Sequence, residues 1–272
     1  MLLFPDCKIN IGLRIVSRRE DGYHNIETVM YPLRGLCDAV EILPSERPGV
    51  EFVSSGLLVD SPAEKNLCVR AYRAVSEVCP LGGVRIHLHK TVPMGAGLGG
   101  GSADAAFVIR GLCELFSLGL GVGEMERLAA GIGSDTAFFV ADRPALATGR
   151  GEVLSPVSLP LQGYRLMVVK PDEFVSTAEA YSRVVPRVPE RPLVDALAAP
   201  VGTWRDSVVN DFESSVFLRH PVLRSVKETL YRIGALYASM SGSGAALYGI
   251  FDREVAVPDE FADMFVHQEV IG

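Results

Sequence analysis

Five of the seven residues from Gly95 to Gly101 are glycine, and this stretch constrains the chain more than any other. Glycine tolerates positive φ and lets a backbone approach a ligand closely, so such a run either links two elements loosely or cradles something. Its surroundings favour the cradle. Val84-Arg85-Ile86-His87-Leu88-His89-Lys90 alternates as a half-buried strand does. The small residues from Ser102 onward predict a helix reaching Phe116. A helix whose first N–H groups and positive dipole end face a glycine loop is a ready anion site, suited to a nucleotide's phosphates. The frame Lys90-x-x-Pro93-x-Gly95-x-Gly97-Leu98-Gly99-Gly100-Gly101-Ser102 does not end in Gly-Lys-Ser/Thr, so it is not the common phosphate loop. Its glycine spacing also fails the dinucleotide fingerprint.

Charge narrows the partners. The 272 residues carry a formal net charge of −7 with no long run of Lys or Arg, which excludes nucleic acid as the main ligand. A small anionic substrate stays compatible, because one local pocket can be positive on an acidic protein. Nowhere does the sequence approach the ~20 continuous apolar residues of a membrane span. The opening Met1-Leu2-Leu3-Phe4-Pro5 meets an acid at Asp6, too soon for a signal peptide. Five cysteines (7, 37, 68, 79, 113), odd in number and without a CxxC pair, suit reduced thiols. The cytoplasm is the expected location.

Strands are predicted over 9–16 and 26–33, joined through the turn signal Asp21-Gly22, and again over 37–43, 50–53, 145–148 and 164–169. Helices are predicted over 66–78 and 124–130. After Val169 the pattern changes. Ser176-Thr177-Ala178-Glu179 has the form of a capping box and predicts a helix start. The proline-rich stretch 187–200 reads as loop or short helix. Helices over 207–218 and 221–233 follow, then strands over 236–240 and 245–251 joined by Ser241-Gly242-Ser243-Gly244. The change of pattern predicts a domain boundary, cut as 1–158 and 159–272. His87 and His89 share one strand face but lack an acidic or cysteine partner nearby in sequence, so they read as a solvated face, and no metal ligand is assigned.

Pro93 to Ala106 resembles the ATP loop of the GHMP kinases, the galactose, homoserine, mevalonate and phosphomevalonate kinases. Lys8-Ile9-Asn10, Asp21-Gly22-Tyr23-His24, Gly133-Ser134-Asp135-Thr136-Ala137-Phe138-Phe139, Lys170 through Tyr181, Asn210-Asp211-Phe212-Glu213 and Met240 through Gly244 resemble further segments of that family, in its order and over nearly the whole chain. The triple glycine and the Asp-Gly-Tyr-His loop are similar to a member whose alcohol substrate carries a cytidine diphosphate. The resemblance implies an α/β (α+β) protein of two domains, an N-terminal α+β domain with the glycine loop and a C-terminal ferredoxin-like domain, with ATP and Mg²⁺ as cofactors. The partners would be one small molecule, no nucleic acid and no membrane, in a monomer or weak homodimer. Cys7 and Ser134 stand where the family usually has Ala; both are small changes.

Residue by residue, the resemblance implies that Asp135 and Lys8 are the catalytic pair. Asp135 would act either as a general base or as an orienting group. Pro93, Met94, Gly95, Ala96, Gly97, Leu98, Gly99, Gly100, Gly101 and Ser102 would hold ATP, with Ser102 a hydroxyl ligand for Mg²⁺ or an N-cap. Tyr23 and Tyr181 would sandwich a cytosine, and His24 would read its edge. Asn10 and Thr177 would contact the substrate, although Thr177 can equally belong to the helix cap. Homoserine or mevalonate-type kinases, and a nucleotide sensor without chemistry, are the rival readings.

Overall fold

The computed structural model describes residues 1–59 and 62–272. Its strands are β1 (Leu2–Leu3), β2 (Asp6–Arg18), β3 (His24–Cys37), β4 (Ala39–Ser45), β5 (Val50–Gly56), β6 (Gly83–Lys90), β7 (Ala145–Thr148), β8 (Val153–Pro156), β9 (Arg165–Lys170), β10 (Tyr237–Met240), β11 (Leu247–Phe251) and β12 (Phe265–Val270). Its helices are α1 (Leu67–Ser76), α2 (Gly100–Leu115), α3 (Val122–Ala130), α4 (Phe138–Ala141), α5 (Thr177–Tyr181), α6 (Leu193–Leu197), α7 (Glu213–Arg219) and α8 (Pro221–Arg232). By contacts the chain forms two compact units. One comprises Met1–Lys8, Pro32–Met94 and Gly99–Arg143; the other comprises Ile9–Tyr31, Gly95–Leu98 and Pro144–Gly272. This division differs from a single cut after residue 158, because Thr28 to Met30 of β3 pair with Ala145 to Ala147 of β7 and so join the later segment.

In the first unit, strands in the order β1-β4-β6-β5 form a sheet, with β5 parallel to β6 and the other neighbours antiparallel. Val84, Ile86 and Leu88 of β6 point into the core, while His87 and His89 point outward and share hydrogen bonds with Ser55. Helix α2 lies close on this sheet, since a Cβ at Gly111 would press against Leu3 and Ile42. Lys90 continues the inward parity of β6 and is only 2% exposed. Its ammonium donates to Asp104 on α2 (2.8 Å) and to Asp38. Asp38 in turn accepts the backbone N–H groups of Thr91 (2.6 Å) and Val92 (2.8 Å), which fixes the chain where it leaves the strand for the glycine loop.

In the second unit, the antiparallel sheet β10-β11-β9-β12 carries helices on one face. Leu223, Val226 and Leu230, at helical spacing along α8, pack with Met167, Val169, Leu247 and Phe251 into one cluster. Each such side chain contributes about 1.5–3 kcal/mol on burial. This is the antiparallel α+β layering expected of the C-terminal part. Strands β2-β3-β7-β8 form the remaining sheet.

Several local expectations change, and β1, β8 and α4 are elements the sequence reading did not predict. Helix α7 starts at Glu213 rather than 207, because Asn210 bridges to Leu13 and its side chain accepts the N–H of Phe212 (3.0 Å). Strand β12 was not foreseen; it pairs with β9 as an edge and carries the polar run His267-Gln268-Glu269. Helix α2 starts two residues earlier than predicted, at Gly100. No helix among the described residues is long and apolar enough to cross a membrane, and none of their His, Cys, Asp and Glu side chains form a group of three or more able to hold a metal ion.

Candidate active site

The first unit brings Lys8 and Asp135 together from opposite ends of its sequence. Lys8 lies in β2, and its Nζ is 3.2 Å from Asp135 Oδ2 in the turn before α4. Their surroundings differ. The lysine side chain is 3% exposed and the aspartate 30%, so the carboxylate faces outward while the ammonium behind it is sheltered. The glycine loop ends against this pair: a Cβ at Gly99 would lie 3.1 Å from Lys8 Cε. Gly99 has φ +72° and is the N-cap of α2. Ser102 is therefore not the cap but lies inside the first turn. The first full helical bond runs from Ala103 N–H to Gly99 C=O (3.0 Å), so the N–H groups of Gly100 and Gly101 precede the intrahelical ladder. Gly133 leaves room for two hydroxyls, since a Cβ there would lie 3.1 Å from Thr136 Oγ1 and 3.7 Å from Ser102 Oγ. Thr136 is fully buried with no hydrogen-bond partner for that hydroxyl.

The second unit holds the other part of the loop, Gly95 to Leu98. Ala96 and Leu98 are buried and anchor it. The Ser241–Gly244 turn straps it down: Ser241 Oγ donates to Gly97 C=O (2.9 Å), and Ala246 N–H donates to Ala96 C=O (3.0 Å). Asn10 N–H donates to the same Ser241 hydroxyl (3.1 Å), and the Asn10 amide donates to Thr28 (3.1 Å). Asn210, whose role sequence reasoning did not specify, donates its side-chain amide to the carbonyls of both Met240 and Gly242 at 2.8 Å. Gly97 has φ +76°, and a Cβ there would run into the Ser241 carbonyl. Gly97→Ala is accordingly expected to weaken ATP binding by about tenfold or more, since both the backbone strain and the clash fall on the strap. Titration with ATP checks this, with circular dichroism to show retained fold.

Asp21 accepts the Tyr23 N–H (3.1 Å) and shapes the turn that presents Tyr23 and His24. Tyr23 stands 58% exposed with Arg150 over its ring, 5.1 Å from the centroid. His24, not Tyr23, stacks on Tyr181, with centroids 4.9 Å apart and planes 22° from parallel. Burial, then the nearby Arg18, lowers the His24 pKa, so its ring is neutral at pH 7 and offers one donor and one acceptor. Tyr181 closes α5 and meets Phe212 edge-on at 4.8 Å. Thr177 opens α5 and is exposed; Ser176, the cap residue, accepts the Glu179 N–H (3.1 Å). Pro93 is half-buried and Met94 exposed at the start of the loop.

The family descriptions "GHMP kinases N terminal domain" and "GHMP kinases C terminal" match residues 66–143 and 195–265. A protein of Parabacteroides distasonis named 4-diphosphocytidyl-2-C-methyl-D-erythritol kinase is 47% identical over 268 residues, 98% of each chain. This chain belongs to the GHMP kinases. A relative of the same name from Chlorobaculum parvum is 40% identical, covering 94% of this GHMP kinase and 91% of the relative. The crystal structure of a 4-(cytidine 5'-diphospho)-2C-methyl-D-erythritol kinase superposes with a TM-score of 0.79 at 34% identity, over 92% of this chain and 90% of that one. The Methanococcus jannaschii mevalonate kinase shares the fold at 12% identity, with a TM-score of 0.70 over 100% of this chain and 98% of that one. As a GHMP kinase the protein is an ATP-dependent phosphotransferase.

Proposed function

We propose that this GHMP kinase phosphorylates the 2-hydroxyl of 4-diphosphocytidyl-2-C-methyl-D-erythritol, a step of the non-mevalonate route to isoprenoids. The observation that carries the reading is the sheltered Lys8 ammonium 3.2 Å from the partly open Asp135 carboxylate, against the last left-handed glycine of the loop. ATP supplies the phosphoryl group, which passes to the acceptor oxygen as ADP leaves. Phosphoryl transfer needs anchored phosphates, neutralised charge and a positioned hydroxyl more than it needs a strong base. Asp135 orients the hydroxyl and takes its proton, and Lys8 stabilises the negative charge that develops beside it. The N–H groups of Gly100 and Gly101, at the positive end of α2, meet the phosphates of ATP. Mg²⁺ bound to those phosphates would neutralise them further, and Ser102 would offer it a hydroxyl.

For the acceptor, Tyr23 supplies an exposed aromatic face, and Tyr181, stacked on His24, backs a neutral imidazole and opens its own face to the base only where that ring moves aside. A stacked base gains about 1–3 kcal/mol on an aromatic side chain. The imidazole can then read the cytosine edge by hydrogen bonds. Asn10 and Thr177 complete the polar contacts.

Purified protein with ATP, Mg²⁺ and this cytidylyl alcohol is expected to release ADP, with no turnover of homoserine or mevalonate derivatives. Removing the cytidine from the acceptor should abolish the activity. Turnover of homoserine or a mevalonate derivative in its place would overturn the substrate assignment. ATP binding without ADP release on any acceptor would make the chain a sensor.

A further inference from the structure

Glu179 does not complete the capping box that the sequence suggests. The Ser176 half is made, but the Glu179 carboxylate turns away to Arg219 Nη1 (3.0 Å) and His220 Nε2 (3.3 Å). The other ring nitrogen of His220, Nδ1, lies 2.7 Å from Glu173 Oε2. An imidazole with both nitrogens on carboxylate oxygens must carry both protons, because a neutral ring has only one N–H to give. His220, whose side chain is 15% exposed at the junction of α7 and α8, is thus a cationic rivet between the β9–α5 loop and α5.

The riveted segment has two working ends. At one, Phe174 lies against the glycine loop, where a Cβ at Gly95 would come within 3.0 Å of its ring. At the other, Tyr181 stacks on His24. We propose that protonated His220 is a positioning residue that holds the Glu173–Tyr181 segment in place and thereby makes affinity for the acceptor alcohol fall as pH rises. The inference rests on the reading of Tyr181 and Thr177 as acceptor contacts.

The charged groups facing the ring are Glu173 from the loop, Glu179 from α5 and Arg219 beside it on α7. Their net effect raises the His220 pKa, with the Glu173 hydrogen bond the largest cause, opposed by burial and assisted by Glu179. The sign follows. A histidine whose folded pKa lies above its free value of 6.5 contributes order that is complete below pH 6.5 and is lost as pH passes the folded pKa.

The test pairs two measurements on the full-length protein and on His220→Gln, which keeps a polar side chain but cannot carry charge. Amide-exchange protection factors over residues 173–181 at pH 6.5 are expected to fall by about tenfold in the variant. In the wild type they should fall between pH 6.5 and 9, and in the variant they should stay flat. KM for the acceptor should rise roughly fivefold with kcat within about twofold. Glu173→Gln should shift the wild-type midpoint to lower pH, which a loss of folding would not do. Equal protection in wild type and His220→Gln, or no pH response in the wild type, would overturn the rivet. Protection that responds while the acceptor KM stays constant would instead overturn the link to affinity.

Discussion

Lys8→Ala is expected to lower kcat by about 10²–10³-fold at unchanged ATP affinity, the scale seen when one preorganised charge partner leaves a reacting centre. Lys8 touches Asp135 and Gly99 but serves the charge that develops during transfer, so the loss belongs in kcat rather than in nucleotide binding. The fold should survive, because the carboxylate left behind is 30% exposed and can be hydrated. Lys8→Met, which keeps the buried stem, separates the charge from the packing and should show the same loss. Asp135→Asn should fall by about 10²–10⁴-fold, since the amide cannot take a proton. In the double variant the losses should not add, as expected of two groups acting as a unit. Rapid-quench kinetics with ATP titration calorimetry reads all four variants. A Lys8→Ala enzyme with near-normal kcat would remove the pair from the chemistry.

The glycine loop was readable because its signals are local, whereas Lys8 and Asp135 carry no local signal and were singled out only by the family resemblance. A glycine run between an alternating strand and a small-residue helix reports a backbone that must come close to something, and α2 does begin within it. The same holds for β6 and α8, whose periodicities match their buried faces. What was not readable depends on partners far away in sequence. The carboxylate of Glu179 leaves its expected cap for a histidine 41 residues on, which no local pattern encodes. Asn210 breaks the start of the predicted helix because its amide has two carbonyls to hold near residue 240. Strand β12 was missed because an edge strand has one weakly apolar face and a polar run, so its periodicity is faint. Lys90 is the instructive omission. It shares strand parity with Val84, Ile86 and Leu88, and a lysine on a buried face must find carboxylates.

Those carboxylates make Lys90→Met the second large effect. In the wild type one ammonium faces two buried acids, Asp38 and Asp104, in the first unit. Burial raises the Asp104 pKa to about 7, against the pull of Lys90 and with a push from Asp38. Burial also opposes the charge of Lys90, but Asp104 and Asp38 outweigh it and keep the ammonium protonated. Removing one partner of a buried pair costs about 3–5 kcal/mol, a large share of the ~5–15 kcal/mol that holds a domain folded. Asp104 already has an oxygen without a hydrogen-bond partner, so it has no substitute donor waiting. The penalty should depend on pH with a definite sign. An acid whose folded pKa is raised favours the unfolded state as pH climbs from its free value through the folded one, and losing Lys90 raises it further. Lys90→Met should therefore be least destabilised near pH 5 and most near pH 8. Urea melts across that range measure the slope. Adding Asp104→Asn should recover most of the loss, because the second carboxylate is gone and the new amide can donate to Asp38, which still accepts two backbone N–H groups. Since a Cβ at Gly100 would lie 3.0 Å from Lys90 Nζ, the single variant should also lose ATP affinity under conditions where it stays folded. Equal stability of wild type and Lys90→Met at pH 8 would mean that the triad does not hold the loop in place.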